Sequence, residues 1–182
     1  DKNQIKGISS KPSGNESTDE TKRDEARASE IRNMQRHNVW EAIEKPPQKP
    51  ISLKWVYDIK RDSDGKIVKC KARLVARGFQ ENYNGNTCSP VVSLEALRIA
   101  LVFACTKNWV IKQGDVSAAF LNAPISEKEP VHVAFRPGVP GKHRFGKLNR
   151  ALYCLARSCR LWNSVIHKYI TNDLGYQRSG SD

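Results

Sequence analysis

The stretch from Leu53 to Arg77 constrains the fold of this 182-residue chain more than any other part of it. Apolar and polar residues alternate from Leu53 to Lys60, and the alternation resumes from Lys66 to about Arg77. A period of two is typical of β-strands with one buried face. Between the two stretches lies Asp62-Ser63-Asp64-Gly65, a turn sequence whose glycine can adopt a positive φ. The pattern therefore predicts a β-hairpin.

The second strand of this hairpin is predicted to have one apolar face and one cationic face. Its even positions from Val68 to Ala76 are apolar, whereas its odd positions carry the cations Lys69, Lys71, Arg73 and Arg77. Same-face neighbours on a strand lie roughly 7 Å apart, close to the spacing of successive phosphates along a nucleic-acid strand. The pattern favours contact with nucleic acid, and a hairpin with a solvated basic face is the alternative.

The charge of the whole chain points in the same direction. Lys and Arg number 31 against 19 Asp and Glu, so the formal net charge is +12. Residues 130–172 include no acidic side chain but eight Lys or Arg. A long stretch of one sign favours a polyanionic partner, and nucleic acid is the commonest one.

The remaining segments predict a globular domain preceded by two accessory segments. Residues 1–20 contain almost nothing apolar, which predicts a disordered tail. Residues 21–50 predict a helical lead-in, from Thr21 to Ala42, that docks through Trp40, followed by a stiff proline-rich linker. The domain is then predicted to occupy residues 51–182.

The pattern within the domain predicts an α+β fold. After the hairpin we expect a loop to Pro90 and a helix capped by Ser93, with one apolar face. A strand from Trp109 to Asp115 and a short strand over residues 131–135 follow. An apolar stripe from Leu148 to Tyr169 predicts a long final helix, with Arg157 and Arg160 off the stripe as further nucleic-acid contacts. This order of elements favours α+β over a doubly wound sheet.

Several classes of protein are disfavoured. The longest apolar run, Ile99 to Cys105, is far shorter than the roughly 20 residues of a membrane span. No secretory leader is visible at the start of the sequence. The five cysteines are odd in number and lack C-x-x-C spacing, so neither a disulfide framework nor a zinc site is indicated. We expect reduced thiols in an intracellular protein, cytoplasmic or nuclear.

The segment Gln113-Gly114-Asp115-Val116-Ser117-Ala118-Ala119-Phe120-Leu121-Asn122 is the strongest candidate for a chemical site. A lone carboxylate ends a predicted apolar strand, and small residues lead from it to an aromatic ring. On residue type alone, Asp115 has an alternative role as the cap of the next helix, and Phe120 as a core residue.

Four ordered motifs resemble the reverse transcriptases of copia-type (Ty1/copia) retrotransposons. Lys71-Ala72-Arg73-Leu74-Val75-Ala76-Arg77-Gly78 is similar to the family's K-A-R-L-V-A-K-G, and Ser89-Pro90-Val91 to its S/A-P-V. The Asp115 segment is similar to Q-M-D-V-x-x-A-F-L-N/H, and Leu152-Tyr153 with Arg160-Leu161-Trp162-Asn163 to L-Y-G-L-K-Q-A-P-R-L-W-N.

The resemblance implies a fingers-and-palm polymerase fold that carries out RNA-directed DNA synthesis. It implies that Asp115 and the Val116 carbonyl bind Mg²⁺ and that Asp115 is catalytic. Ala118 and Ala119 would lie under an incoming deoxynucleoside triphosphate, and the Phe120 ring would exclude a ribose 2′-OH. Lys71 and Arg73 would neutralise phosphate charge. An RNA or DNA template-primer is the implied partner, and integrase and ribonuclease H domains are implied neighbours in a polyprotein.

The sequence departs from the family pattern in two places. The family's G-L-K-Q-A-P reads Cys154-Leu155-Ala156-Arg157-Ser158-Cys159. No Asp-Asp pair occurs, so we expect a domain truncated before the Y-x-D-D hairpin that supplies the other palm carboxylates. One carboxylate does not hold two metal ions, so we expect no polymerisation by this chain alone. A catalytically silent nucleic-acid-binding module and a non-functional relic are the alternative interpretations.

Overall fold

A computed structural model of the chain describes residues 14–178, with side chains from Asp19 onward. Its helices and strands alternate irregularly along the chain, as expected for an α+β fold. The regular elements are α1 (Gly14–Arg36), β1 (Trp40–Ile43), β2 (Ile51–Arg61), β3 (Ile67–Ala76), α2 (Leu94–Thr106), β4 (His132–Ala134), β5 (Phe145–Leu148) and α3 (Ser158–Lys168). Two 3-10 turns, Gly78–Gln80 and Ala119–Asn122, and a π-helical turn, Tyr169–Asp173, complete them.

The strands among the described residues form one five-stranded sheet in the order β1-β5-β4-β2-β3. β2 and β4 pair in parallel, with Ile51 opposite Val133, and the other neighbours are antiparallel. The helix α1 packs against β3, the outermost strand, and covers its edge. The core between them contains the fully buried side chains of Met34, Leu53 and Leu74.

The predicted hairpin is confirmed as β2 and β3. The Asp62 carboxylate shapes its turn, because Oδ1 accepts hydrogen bonds from the backbone N–H groups of Asp64 (3.1 Å) and Lys66 (2.8 Å). Gly65 has a φ of +78°, which a glycine adopts without steric cost. The predicted apolar face is wrong at one residue: Val68 is 68% exposed, because it lies near the turn, where Ile67 is the buried residue instead.

The lead-in segment differs from its prediction at both ends. The helix begins at Gly14, so residues 14–20 of the predicted tail are helical, and the rest of that tail lies outside the described residues. Glu16 and Glu20 are the good helix formers of this stretch. The helix ends before Asn38, whose φ of +49° breaks the helical repeat. Trp40 is therefore not a helical anchor: it begins β1, where its ring packs on Phe135 at 5.2 Å between centroids.

The helix α2 forms where it is predicted, but its apolar face is uncovered within residues 14–178. The Ser93 hydroxyl caps it by accepting a hydrogen bond from the Ala96 N–H at 3.1 Å. Leu97 and Leu101 are nevertheless exposed, and Ala104 is its buried residue. None of the helices among the described residues has the length and hydropathy that crossing a membrane requires.

Two predicted elements take another form. The strand expected from Trp109 to Asp115 is irregular, because no described residue pairs with it, and Val110 is 84% exposed. The long helix expected from Leu148 is divided into β5, an irregular segment and α3. Leu148 pairs in the sheet opposite Trp40, and the φ of +65° at Cys154 is incompatible with a helix.

Candidate functional site

A cleft of about 860 Å³ lies between α1, the outer strand β3 and the loop over residues 115–120. It brings together residues from two sequence motifs that are more than forty positions apart. Lys71 and Arg73 line one wall, and the loop lines another. The seven residues that the sequence predicts for catalysis, metal binding and nucleotide binding all line this cleft, namely Lys71, Arg73, Asp115, Val116, Ala118, Ala119 and Phe120.

The loop is held in place by its C-terminal end. Leu121 is fully buried in the core and anchors the 3-10 turn Ala119–Asn122. The backbone N–H of Leu121 donates to the carbonyl oxygen of Ala118 at 2.8 Å, and the Asn122 amide donates to the same oxygen at 3.2 Å. Ala118 has a φ of +53°, a left-handed conformation that turns the chain sharply. The buried leucine and this turn leave the preceding residues facing the cleft.

Asp115 is exposed in the cleft, at the irregular end of the loop. The 3-10 turn that follows has Ala118 at its cap and no side-chain cap, so the alternative of a capping role for Asp115 is wrong. Its carboxylate and the Val116 carbonyl are the hard oxygen donors that Mg²⁺ prefers. Within residues 14–178 no three His, Cys, Asp or Glu side chains are grouped as a metal site. The cleft therefore offers oxygen donors at Asp115 and Val116 without a grouped metal site among the described residues.

Phe120 is half-buried and packs edge-on against Tyr153, with 6.0 Å between the ring centroids. It is not part of the buried core, which disfavours the interpretation of Phe120 as a packing residue. Burial raises the pKa of the Tyr153 phenol, the charge of Glu30 raises it further, and Arg73 opposes both. Tyr153 therefore remains a neutral support for the Phe120 ring at physiological pH.

The cationic face of β3 is present as predicted. Lys69, Lys71 and Arg73 are exposed, while Ala72 and Leu74 between them are buried. Arg77 lies just past the end of the strand and is half-buried, with its backbone N–H bonded to the Ser52 carbonyl. Lys69, Lys71 and Arg73 therefore form a row of exposed cations along one strand.

Sequence reasoning missed the wall of the cleft that α1 contributes. Ala26, Glu30, Asn33 and His37 line the cleft and recur at intervals of four, three and four, which is one stripe of a helix. This helical spacing could have indicated that the four residues share one face. The polar side chains among them, however, gave no indication that this face is buried against the rest of the protein. Glu30 is only 9% exposed, and its burial raises the pKa of its carboxyl.

The nucleic-acid contact predicted at Arg157 is wrong. Its guanidinium is buried and committed to two carboxylates: Nε donates to Glu81 at 2.7 Å, and Nη1 donates to Glu129 at 3.2 Å. Its face lies 4.1 Å from the centroid of the Tyr83 ring. Arg157 therefore joins three loops inside the protein. Arg160, one turn along, is half-exposed and stays a candidate contact.

A second cleft, of about 780 Å³, lies on the side of Arg157 and contains none of the residues predicted to bind nucleotide. His132 lines it and is almost fully buried, with Nδ1 3.3 Å from the Gln48 amide nitrogen. Burial lowers the pKa of this imidazole, and the positive charge of Lys147 lowers it further. The neutral form of His132 is therefore favoured in the fold.

A sequence profile of the family "Reverse transcriptase (RNA-dependent DNA polymerase)" matches residues 37–181. The chain is 33% identical over 165 residues to the Retrovirus-related Pol polyprotein from transposon RE1 of Arabidopsis thaliana, which covers 86% of this chain and 11% of the relative. No solved structure matches this chain.

Two further relatives agree with this assignment. The Retrovirus-related Pol polyprotein from transposon TNT 1-94 of Nicotiana tabacum is 32% identical over 84% of the chain and 12% of the relative. The Transposon Ty1-DR5 Gag-Pol polyprotein of Saccharomyces cerevisiae is 28% identical over 84% of the chain and 9% of the relative. The chain thus spans about a tenth of the length of these relatives. The profile match and the relatives show that it belongs to the reverse transcriptase family of copia-type retrotransposons, as a partial domain of a Pol polyprotein.

Proposed function

We propose that this segment forms the fingers and part of the palm of an RNA-directed DNA polymerase and binds the nucleotide and the template-primer. The observation that carries the proposal is the convergence of Lys71 and Arg73 with the Asp115–Phe120 loop in one cleft. The mixed sheet with α1 at its edge is compatible with a reverse transcriptase domain. The two motifs thus present two cations and a carboxylate to the same cleft.

The cationic wall of the cleft would bind the phosphates of a deoxynucleoside triphosphate. Lys71 and Arg73 are exposed at the cleft, so their charged groups can reach an anion without first breaking a buried ion pair. Charge-assisted hydrogen bonds from Arg to phosphate are among the strongest polar contacts in proteins. Ala118 and Ala119 place no side chain larger than a methyl group beside them, which leaves room for close approach to the backbone.

Phe120 would select the sugar. Its ring is held edge-on by Tyr153 at 6.0 Å and is half-exposed toward the cleft. A rigid ring in this place would collide with a 2′-hydroxyl and accept a deoxyribose. The buried Leu121 anchors the backbone next to Phe120.

Reverse transcriptases generally use a divalent metal. Asp115 and the Val116 carbonyl would hold Mg²⁺ here, and a bound metal would stabilise the developing charge of phosphoryl transfer. No three His, Cys, Asp or Glu side chains among the described residues are grouped as a metal site, so polymerisation by this segment alone is not part of the proposal.

A silent nucleic-acid-binding module is the second candidate. The family's G-L-K-Q-A-P motif has Gln at the position of Arg157. The Arg157 side chain is bound to Glu81 inside the protein and does not face the cleft, which favours this candidate. Such a module would bind nucleic acid through the β3 cations and would be indifferent to Asp115.

The experiment is a binding titration of the 182-residue chain with a primed RNA template over a range of salt concentrations. We expect the affinity to fall steeply with salt. The salt slope should fall by about 1 for each phosphate-binding cation that Lys71→Ala/Arg73→Ala removes. The matched control is Lys45→Ala/Lys142→Ala, which removes two exposed cations outside the cleft. Equal slopes for both double variants would contradict the proposed interface.

Nucleotide binding separates the two candidate functions. With the template-primer bound, we expect a deoxynucleoside triphosphate with Mg²⁺ to bind the wild-type chain and to bind Asp115→Asn more weakly. Template binding that is accompanied by no nucleotide binding in either protein would favour the silent module.

A further inference from the structure

The basic side chains of α1 fall into two groups along the helix. Those nearer its N-terminus contact other groups of the protein, namely Lys22 with the Ile67 carbonyl, Arg23 with the Tyr57 ring, and Arg27 with Asp24. Arg32 and Arg36 are exposed and have no ion-pair partner among the described residues. The guanidinium groups of the second half of the helix are therefore available to an external anion.

Arg32 and Arg36 line the same cleft as Lys71 and Arg73. Residues four apart on a helix are neighbours on its surface, so the two arginines lie on one side of α1. Because α1 packs directly against β3, the two pairs of cations belong to adjoining walls. The described lining of the cleft contains four cationic side chains against two carboxylates, which leaves an excess of positive charge.

Helix stability does not explain this pair of arginines. Like charges four positions apart on a helix repel each other. Arg36, in the last turn, interacts favourably with the helix dipole, but Arg32 lies a turn earlier, where that effect has faded. The family profile begins at residue 37, so the family match gives neither arginine a role. A bound anion would offset the repulsion between them.

We propose that Arg32 and Arg36 bind phosphate groups and extend the cationic wall of the cleft from β3 onto α1. The inference deepens the proposed function and rests on it, because it assigns further phosphate-binding residues to the same cleft. Four residues of helix rise about 6 Å, close to the roughly 7 Å between same-face cations on a strand. Each element thus presents two cations at a spacing suited to successive phosphates.

Arginine suits this role because its guanidinium binds phosphate through two parallel hydrogen bonds and stays charged at physiological pH. The phosphates come from a nucleoside triphosphate or from the backbone of the template-primer, and the two sources share this chemistry. The experiment therefore uses one probe for each source.

The first test compares the wild type with Arg32→Gln/Arg36→Gln. The probes are inorganic tripolyphosphate, followed by calorimetry, and a primed RNA template without a 5′-triphosphate, titrated over a range of salt concentrations. We expect at least one probe to bind roughly tenfold more weakly or worse, because hydrogen bonds to charged groups are lost. If the template is the ligand, its salt slope should also fall by about 2. Unchanged binding of both probes overturns the proposal.

The pattern of loss identifies the source of the phosphates. Weaker binding of tripolyphosphate assigns the arginines to the nucleotide, whereas a loss confined to the template assigns them to the nucleic-acid backbone. Either result supports phosphate binding by α1.

The matched control is Arg23→Gln/Arg178→Gln, which removes two exposed arginines, one of them on α1, from positions outside the lining of the cleft. It changes the net charge by the same amount. Equal losses in the two double variants would show an effect of net charge alone and would overturn the proposal. Arg32→Lys/Arg36→Lys keeps both charges and should retain more affinity than the Gln variant. Equal affinities of the Lys and Gln variants would also overturn it.

Stability distinguishes ligand binding from a structural role. Because a repulsive pair is removed, Arg32→Gln/Arg36→Gln is expected to unfold at the same or a higher urea concentration while it loses affinity. Parallel losses of stability and affinity would overturn the proposal. If Lys71→Ala/Arg73→Ala binds both probes as the wild type does, the proposed function fails at β3, and the Arg32→Gln/Arg36→Gln measurements still decide the role of α1.

Discussion

The α-carbon of Gly78 faces the backbone carbonyl of Cys154 so closely that a Cβ at residue 78 would overlap the carbonyl oxygen. Gly78 follows the hairpin, and Cys154 belongs to the irregular segment before α3, so the contact joins two motifs that are distant in the sequence. The neighbouring hydrogen bond from the Ala76 N–H to the Tyr153 carbonyl, at 3.0 Å, fixes the same approach. These two contacts therefore fix the position of the hairpin relative to Tyr153, the residue on which the Phe120 ring packs.

We expect Gly78→Ala to destabilise the protein by about 1–3 kcal/mol, because the obstructing atoms are backbone and cannot turn aside. Urea unfolding measures the change. Gly114→Ala is the control, since a Cβ there meets nothing within 4 Å. Equal stabilities of the two variants would show that the two backbones separate easily.

Cys154→Gly is expected to stabilise the protein by about 0.5–1 kcal/mol. The φ of +65° at Cys154 costs an L-residue roughly 1–2 kcal/mol, and the greater freedom of glycine in the unfolded chain offsets part of the gain. The measurement is the unfolding midpoint under reducing conditions. Cys159→Gly, in the first turn of α3, should have the opposite sign, because glycine weakens a helix. A loss of stability in Cys154→Gly would contradict the strain argument.

Arg157→Met is expected to cost about 3–5 kcal/mol, because it leaves the Glu81 carboxylate buried without its cation. The Glu81 side chain is only 3% exposed, whereas that of Glu129 is 59% exposed and can turn to water. The double variant Arg157→Met/Glu81→Met should recover much of the loss in chemical unfolding. Arg160→Met, on the half-exposed side of α3, is expected to change stability by no more than about 0.5 kcal/mol. A loss below about 1 kcal/mol in the single variant would mean that water replaces the ion pair.

The buried imidazole of His132 is expected to make stability depend on pH. Its pKa in the fold is below the ordinary value of 6.5, so the unfolded chain binds more protons between the two values. Stability is therefore complete above about pH 6.5 and falls as the pH drops through the lower pKa of the folded state. The free energy of unfolding, measured from about pH 7.5 to about pH 5, should show this fall. His132→Gln should lack the part of this fall in stability that His132 causes. His143→Gln, at an exposed position, should show the same fall as the wild type.

The local features were readable from the sequence because nearby residues produce them. Alternation between Leu53 and Ala76 defined the hairpin, and Asp62 and Gly65 defined its turn, without any help from the rest of the chain. The helix cap at Ser93 is equally local. The family motifs also named seven residues that the fold gathers in one cleft.

Elements that depend on a distant partner were not readable in this way. The apolar spacing of Leu148, Leu152 and Leu155 is the same for a helix and for three separate buried positions. Pairing of β5 with β1, which is a contact across about a hundred residues, decides between them. The strand expected at Trp109 had the right composition but finds no neighbour among the described residues.

The sequence by itself determined the hairpin and its turn, since propensity and period act over a few neighbours. The resemblance to the family named seven of the residues that line the cleft but none of those that α1 contributes. Tertiary structure alone decided what the charged side chains do. Arg157 has the charge of a nucleic-acid contact, yet Glu81, 76 positions away, holds it inside the protein. Glu30 looks like an exposed helical residue, yet β3 buries it. The cause is the same in both cases: the free energy of a charge depends on its solvation and on its partners, and only the folded chain sets both.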